Sequence, residues 1–216
     1  MPNLTPDELL TTTRSVRKRL DFDRPVSRET IETCLEVALQ APNGSNMNAW
    51  KWVVLDDRDS ITAAAGIYNA GLDAYVESLG DAVGDQYRGV HIPGHARISE
   101  SVDYLRTHLH RSPAILIPLF PSRPEGASVF LQASLWGSII QATWSFFLAL
   151  RARGLGSAWT TGHLMRERAM AELLGIPHGA YTQVGLFPIA YTLGTDFSPA
   201  YRKPVSEVVR WNGFEN

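Results

Sequence analysis

The sequence predicts a globular domain that mixes helices with strands, and three observations lead there. Apolar residues make up 44% of the 216 positions, enough to fill the core of one domain. Helices are marked near 5–12 by a capping box, near 27–41 by a cap and helical spacing, and near 127–153 by a long uncharged run with a glycine stop. Two runs rich in β-branched, aromatic and other apolar residues, 50–55 and 114–120, stand between them as strands.

Taken in chain order, Thr5-Pro6-Asp7-Glu8 is a capping box, with Thr5 as N-cap, proline at the first helical position and glutamate three residues on. Its polar continuation, Thr13 to Arg19, places four cations within six residues. Ser27 caps a second helix with Ile31, Cys34, Leu35 and Ala38 at helical spacing, and Pro42 sets its limit. The turn-rich Asn43-Gly44-Ser45-Asn46 leads into the strand Trp50–Leu55. Residues 60–112 read as helical at either end, with a Gly-rich middle from Gly80 to His95 that has the composition of a lid. After the strand 114–120 comes the long helix, stopped at Gly154. A loop (156–162), a helix ending at Gly175-Ile176-Pro177 and a strand from Gln183 to Tyr191 complete the body. From 194 to 216 the chain is an arm whose Val205, Val208, Val209 and Trp211 have no local core, so a second copy of the chain is the economical surface to bury them.

Composition excludes several classes. Twenty Lys+Arg against 22 Asp+Glu give a net charge of -2, which rules out a global basic surface for a nucleic-acid backbone. A single cysteine, Cys34, allows neither a disulfide framework nor a cysteine metal site, and its helical setting points to a buried thiol. The start, MPNLTPDELL, lacks the charged and apolar regions of a secretory signal, so a cytoplasmic protein is expected. Residues 127–150 carry no charge and have the length of a membrane span, but 8 of the 24 are Ser, Gln, Thr or Gly. A buried central helix, with no membrane partner, is the expectation.

Motifs for other chemistries fail on context. Gly154-Leu155-Gly156 follows a helix rather than a strand and lacks the third glycine of a dinucleotide fingerprint, and no Walker A sequence is present. His91 and His95 flank Pro93-Gly94, which breaks a shared helical face, and no metal site is expected. The Arg14-to-Arg19 cluster flanks a serine hydroxyl, a combination that suits a terminal phosphate through charge-assisted hydrogen bonds and equally suits a solvated helix end. Tyr201-Arg202-Lys203-Pro204 repeats that chemistry near the other end. The loops Pro42–Asn46 and Ser157–Gly162 offer amides and backbone N–H groups that suit the edge of a heteroaromatic ring, or simply turn.

In order and combination these pieces resemble the nitroreductase family. Arg14-Ser15-Val16-Arg17 is similar to its RRSVR segment and Ala41-Pro42-Asn43-Gly44-Ser45-Asn46-Met47-Asn48-Ala49-Trp50 to its APSxxNxQPW segment. Gly154-Leu155-Gly156-Ser157 with Trp159-Thr160-Thr161 resembles the GLGS loop, and Arg202-Lys203-Pro204 before Val208-Val209 resembles the RKPxxEVV tail. Departures are Thr13 in place of the first arginine, Asn43 in place of serine, and Asn48-Ala49 in place of Gln-Pro.

The resemblance implies an α+β, three-layer α/β/α fold with a central mixed sheet, an intertwined homodimer, and one FMN at each of two sites on the subunit interface. It implies that Arg14, Ser15, Arg17 and Arg202 hold the phosphate and ribityl end. Asn43, Gly44 and Asn46 would line the isoalloxazine, and Trp159, Thr160, Thr161 and Gly162 its edge near N5. The expected reaction is a two-step exchange in which NAD(P)H reduces the flavin and a small acceptor (nitroaromatic, quinone or activated alkene) reoxidises it. Arg17 would place positive charge near N1, and no side-chain nucleophile is needed. Flavin-dependent dehalogenation, modification of the flavin itself, and a non-catalytic flavin-binding dimer are the alternatives on the same scaffold.

Overall fold

The computed structural model of the chain describes residues 2–79 and 95–214. The candidate lid, 80–95, therefore falls outside the described residues except for its last position, where a helix begins.

Helix α1 (Pro6–Thr12) starts as its capping box dictates: the Glu8 N–H donates to Thr5 Oγ1 at 3.2 Å and the Thr5 N–H to Glu8 Oε2 at 2.8 Å. The helix does not continue through the basic stretch. Thr13 turns the chain to extended geometry, and the arginines after it lie on an irregular segment. After β1 (Leu20–Asp21), Ser27 caps α2 (Arg28–Ala38), which stops four residues before Pro42 in a tight turn where the Leu39 N–H reaches back to Leu35 and the Ala41 N–H to Ala38. Strand β2 (Lys51–Leu55) leads to α3 (Arg58–Leu79), begun by Asp57, whose carboxylate accepts from the Ser60 N–H at 2.8 Å.

Helix α4 (His95–His108) precedes β3 (Ala114–Phe120), which is buried at every position. The long α5 (Val129–Ala152) is capped by Ser128 and closed by Gly154, whose φ of +77° only glycine adopts without strain. Then follow β4 (Leu155–Gly156), α6 (Glu167–Leu174), β5 (Thr182–Gln183), β6 (Phe187–Thr192) and a short α7 (Val205–Val208).

The strands run in the order β1-β6-β3-β2, with β4 also on β6 and β5 also on β3. Every strand pairing among the described residues is antiparallel, and the parallel component is one bridge, Ser15 with Ser157. The expected continuous strand from Gln183 to Tyr191 is two strands that pair with β3 at different places. The break lies at Gly185, where a Cβ would stand 2.5 Å from the Phe187 ring and 3.0 Å from the Thr160 carbonyl oxygen. The ladder yields there because the chain must pass that ring.

Alternation along β3 builds the three layers. Ile115, Ile117 and Leu119 face one core with Ile61, Ala65 and Tyr68 of α3, Leu105 of α4 and Met170 of α6. Ala114 and Leu116 face the other, with Ile31, Cys34 and Ala38 of α2 and Phe146 and Leu150 of α5. The fold is thus α+β with helices on both faces of the sheet. Cys34 is a buried free thiol as expected, and burial pushes its pKa up to about 11.

Helix α5 is, among the described residues, the one helix long and apolar enough to cross a membrane by length and composition. Its inner face, including Ile139, Ala142, Phe146 and Leu150, packs inside the fold, while Val129, Phe130, Ile140 and Trp144 remain exposed.

Candidate functional site

The segment after α1 alternates as extended chain must: Val16 points into the core, with Ser15 and Arg17 to the other side. The Val16 N–H donates to the Ser157 carbonyl at 2.8 Å, which fixes the segment beside the loop that follows α5. Arg14 Nη1 donates to the Ser198 carbonyl at 2.9 Å and so draws in the C-terminal arm. The result is an open groove of about 1200 Å³ lined by Arg14, Ser15, Arg17 and Arg202, residues from opposite ends of the sequence.

Pairing separates the cations of the 14–19 cluster. Lys18 is neutralised by Glu100 at 2.5 Å and Arg19 by Asp196 at 2.7 Å. Arg14 and Arg202 bond only backbone carbonyls among the described residues, and Arg17 reaches the Ser101 hydroxyl at 3.5 Å. Arg17 is half-buried, its Nε is buried without a partner, and burial lowers its pKa against a smaller opposing effect of Tyr68. Among the described residues, no carboxylate lines the groove. Guanidinium forks left without carboxylates, one carrying an orphaned buried donor, fit an anionic oxygen group such as a terminal phosphate.

Sequence reasoning missed part of this lining. Arg97 and Ser101, one helical turn apart on α4, and Trp144 of α5 complete the wall. The i, i+4 spacing of Arg97 and Ser101 was the available signal, but neither residue belongs to a motif that carries the family resemblance.

The other expected site residues do not line the groove. Gly44 sits against α5: its N–H donates to Ser138 Oγ at 2.8 Å, and a Cβ there would be 2.5 Å from Ser134 Oγ. Ser138 precedes Trp144 by six residues, about 9 Å along a helix, so the 43–46 loop stands off from the arginines of its own chain. The loop is strained, with Ser45, Asn46 and Asn48 all at φ near +50°. Asn43 is held by Asn48, whose N–H donates to Asn43 Oδ1 at 2.9 Å, while Asn43 Nδ2 donates to Asn48 Oδ1 at 3.1 Å.

Trp159 is half-buried between Phe147 and Phe187, with ring centroids 6.2 and 4.9 Å away. Thr160 is buried, and its hydroxyl donates to the Leu186 carbonyl at 2.5 Å. Thr161 is exposed, and Gly162 packs on α3 so closely that a Cβ on Gly71 would meet the Gly162 oxygen at 2.1 Å.

Comparison with known proteins gives the same picture. The chain is 25% identical over 173 residues to a protein of Archaeoglobus fulgidus provisionally named NADH dehydrogenase/NAD(P)H nitroreductase, covering 79% of this chain and 76% of that one. Its fold is similar to the FMN and NADPH-dependent nitroreductase NfnB of Sphigopyxis sp. strain HMH, with a TM-score of 0.69, 21% identity, and 98% and 100% of the two chains covered. It is also similar to a BluB-like flavoprotein of Clostridium difficile 630 (TM-score 0.72, 16% identity, 98% and 100% covered). A third similar structure is iodotyrosine deiodinase bound to FMN and 3-iodo-L-tyrosine (TM-score 0.68, 21% identity, 96% and 99% covered). The sequence profile of the Nitroreductase family matches residues 10–191. With that match over most of its length, and with the fold of flavoproteins, the chain belongs to the nitroreductase family.

Proposed function

We propose that the chain is an FMN-dependent oxidoreductase that takes hydride from NAD(P)H and reduces a small oxidised acceptor. The observation that carries this reading is the convergence of Arg14, Ser15, Arg17 and Arg202 on one groove that, among the described residues, no carboxylate lines. Arg14 and Arg202 would grip the phosphate from either side through charge-assisted hydrogen bonds, with the Ser15 hydroxyl as a further donor. Arg17, deepest of the three, would compensate negative charge that gathers on the reduced ring system. The bound flavin supplies the hydride chemistry. The chain's residues bind, orient and exclude water.

In one copy the 43–46 loop stands away from the arginines, and exposed apolar residues of α5, from Val129 and Phe130 through Ile140 to Trp144, run past the loop to the groove. This supports a homodimer in which these residues and the 194–216 arm are covered by a second copy, and Asn43, Gly44 and Asn46 approach the ring from the partner. Trp159, Thr160, Thr161 and Gly162, tied to the arginine segment through Ser157, would border the ring near N5.

Steady-state turnover tests the proposal. Varying NADPH or NADH at several fixed concentrations of a nitroaromatic or a quinone should give parallel double-reciprocal lines, the pattern of two ligands that use one site in turn. Absence of turnover with every pair of donor and acceptor would refute it.

A further inference from the structure

The groove holds one cation more than the proposed flavin uses. Arg14 and Arg202 serve the phosphate and Arg17 the ring system in that reading, but Arg97 of α4 lines the same groove with no such part. Its side chain is exposed and makes no hydrogen bond or ion pair with the described residues. Glu100, three residues on, is held by Lys18 at 2.5 Å. Ser101, one turn from Arg97, is engaged as well: its hydroxyl donates to the Ile98 carbonyl at 2.8 Å and accepts from Arg17 Nη1 at 3.5 Å.

Because Ser101 touches Arg17, and Arg97 starts about 6 Å back along the same helix, the free guanidinium stands on the side of the groove that Arg17 occupies. Leu10 and Ile98, both exposed, line the groove too. Apolar side chains around one unpaired guanidinium suit a ligand with an apolar body and a single negative charge. Among the described residues α4 brings no second cation to the groove, whereas the proposed phosphate grip draws on two guanidiniums and a hydroxyl. One fork carrying one charge matches a carboxylate rather than a phosphate dianion.

From this we infer that Arg97 is a specificity-determining residue and that the acceptor reduced in this groove is a carboxylate: an aromatic or other apolar acceptor whose one carboxylate pairs with the Arg97 fork. The inference rests on the flavin reading above and names the substrate class of that site. Arg97 holds a part of the acceptor remote from the reacting atoms, so its contribution is read mainly in KM.

The test compares 4-nitrobenzoate with 4-nitrobenzamide, which differ in charge, on the FMN-loaded full chain. In Arg97→Gln the ratio of kcat/KM for acid over amide should fall by about ten-fold relative to the unaltered protein, chiefly through KM, and Arg97→Lys should give an intermediate ratio. A binding arm needs no turnover: benzoate and benzamide titrated into the oxidised protein, followed by the flavin absorbance, should show a preference for benzoate that Arg97→Gln removes. An acid-to-amide ratio that Arg97→Gln leaves unmoved in both arms would overturn the inference. So would a variant that instead lowers kcat/KM for NADPH relative to NADH, which would give Arg97 to the 2′-phosphate of the nucleotide. A bound flavin that neither nucleotide bleaches would contradict the reductase reading alone, with the benzoate titration still deciding on Arg97; a chain that takes up no FMN would overturn both.

Discussion

The backbone N–H of Val16 donates to the carbonyl of Ser157 at 2.8 Å, a parallel bridge between positions more than 140 residues apart. It places the basic N-terminal segment against the loop that closes the long helix. The Arg14 bond to Ser198 then adds the arm, so three distant parts of the sequence meet at one groove.

Arg14→Ala and Arg202→Ala should each remove one charge-assisted phosphate contact, worth about 1.5–3 kcal/mol, or roughly ten- to a hundred-fold in FMN affinity. The double variant should lose less than the sum, since both side chains would grip one dianion. Fluorescence titration of apoprotein with FMN measures this. Lys18→Ala, whose partner is Glu100, should leave affinity within two-fold of wild type, by about the small worth of an exposed pair.

Gly71→Ala tests the packing of the 160–162 loop on α3. Alanine in a helix gains about 1 kcal/mol over glycine, but a Cβ at Gly71 would sit 2.1 Å from the Gly162 carbonyl oxygen, a backbone atom with nowhere to go. Overpacking should win by about 1–3 kcal/mol. Thermal melting should therefore show a lower Tm; an unchanged or higher one would show that α3 and the loop are looser than the structure has them.

Much of the fold was legible because its signals are local. The capping box at Thr5 and Glu8, the Ser27 cap of α2, and the Gly154 stop need only neighbouring residues, and all appear where the sequence puts them. What escaped depends on distant contacts. The break in the last strand is imposed at Gly185 by the Phe187 ring and the Thr160 carbonyl, and the arginine segment leaves the helix for its bridge to Ser157. The cluster offered six cation-rich positions, but which cations are free depended on Glu100 and Asp196, about 80 and 180 residues away. The role of α4 was invisible for the same reason.

Two departures from the family pattern, Asn43 and Asn48, turn out to bond each other. A double-mutant cycle with Asn43→Ala and Asn48→Ala, followed by urea unfolding, should return a coupling of about 0.5–1.5 kcal/mol. A coupling of zero would mean that the two changes are independent.

His163, buried at the start of the turn before α6, should make the protein sensitive to acid. Burial pushes its pKa down from 6.5 to about 4, against smaller opposing effects of Glu167 and Gln183. The unfolded chain therefore takes up the proton first. Stability should fall as pH drops from about 6.5 to about 4, by on the order of 3 kcal/mol, and the contribution should level off below that. His163→Gln should flatten the dependence of Tm on pH across this window; an unchanged slope would assign the acid sensitivity to other groups.

The central claim is that the arginine groove holds a flavin able to accept hydride, and anaerobic absorption spectroscopy of the purified protein reads it most directly. The account predicts a flavin band, release of FMN rather than FAD on denaturation, bleaching by NADPH or NADH, and recovery of the band when a nitroaromatic or quinone is added. A protein that binds no flavin when FMN is supplied, or whose bound flavin neither nucleotide bleaches, would contradict it.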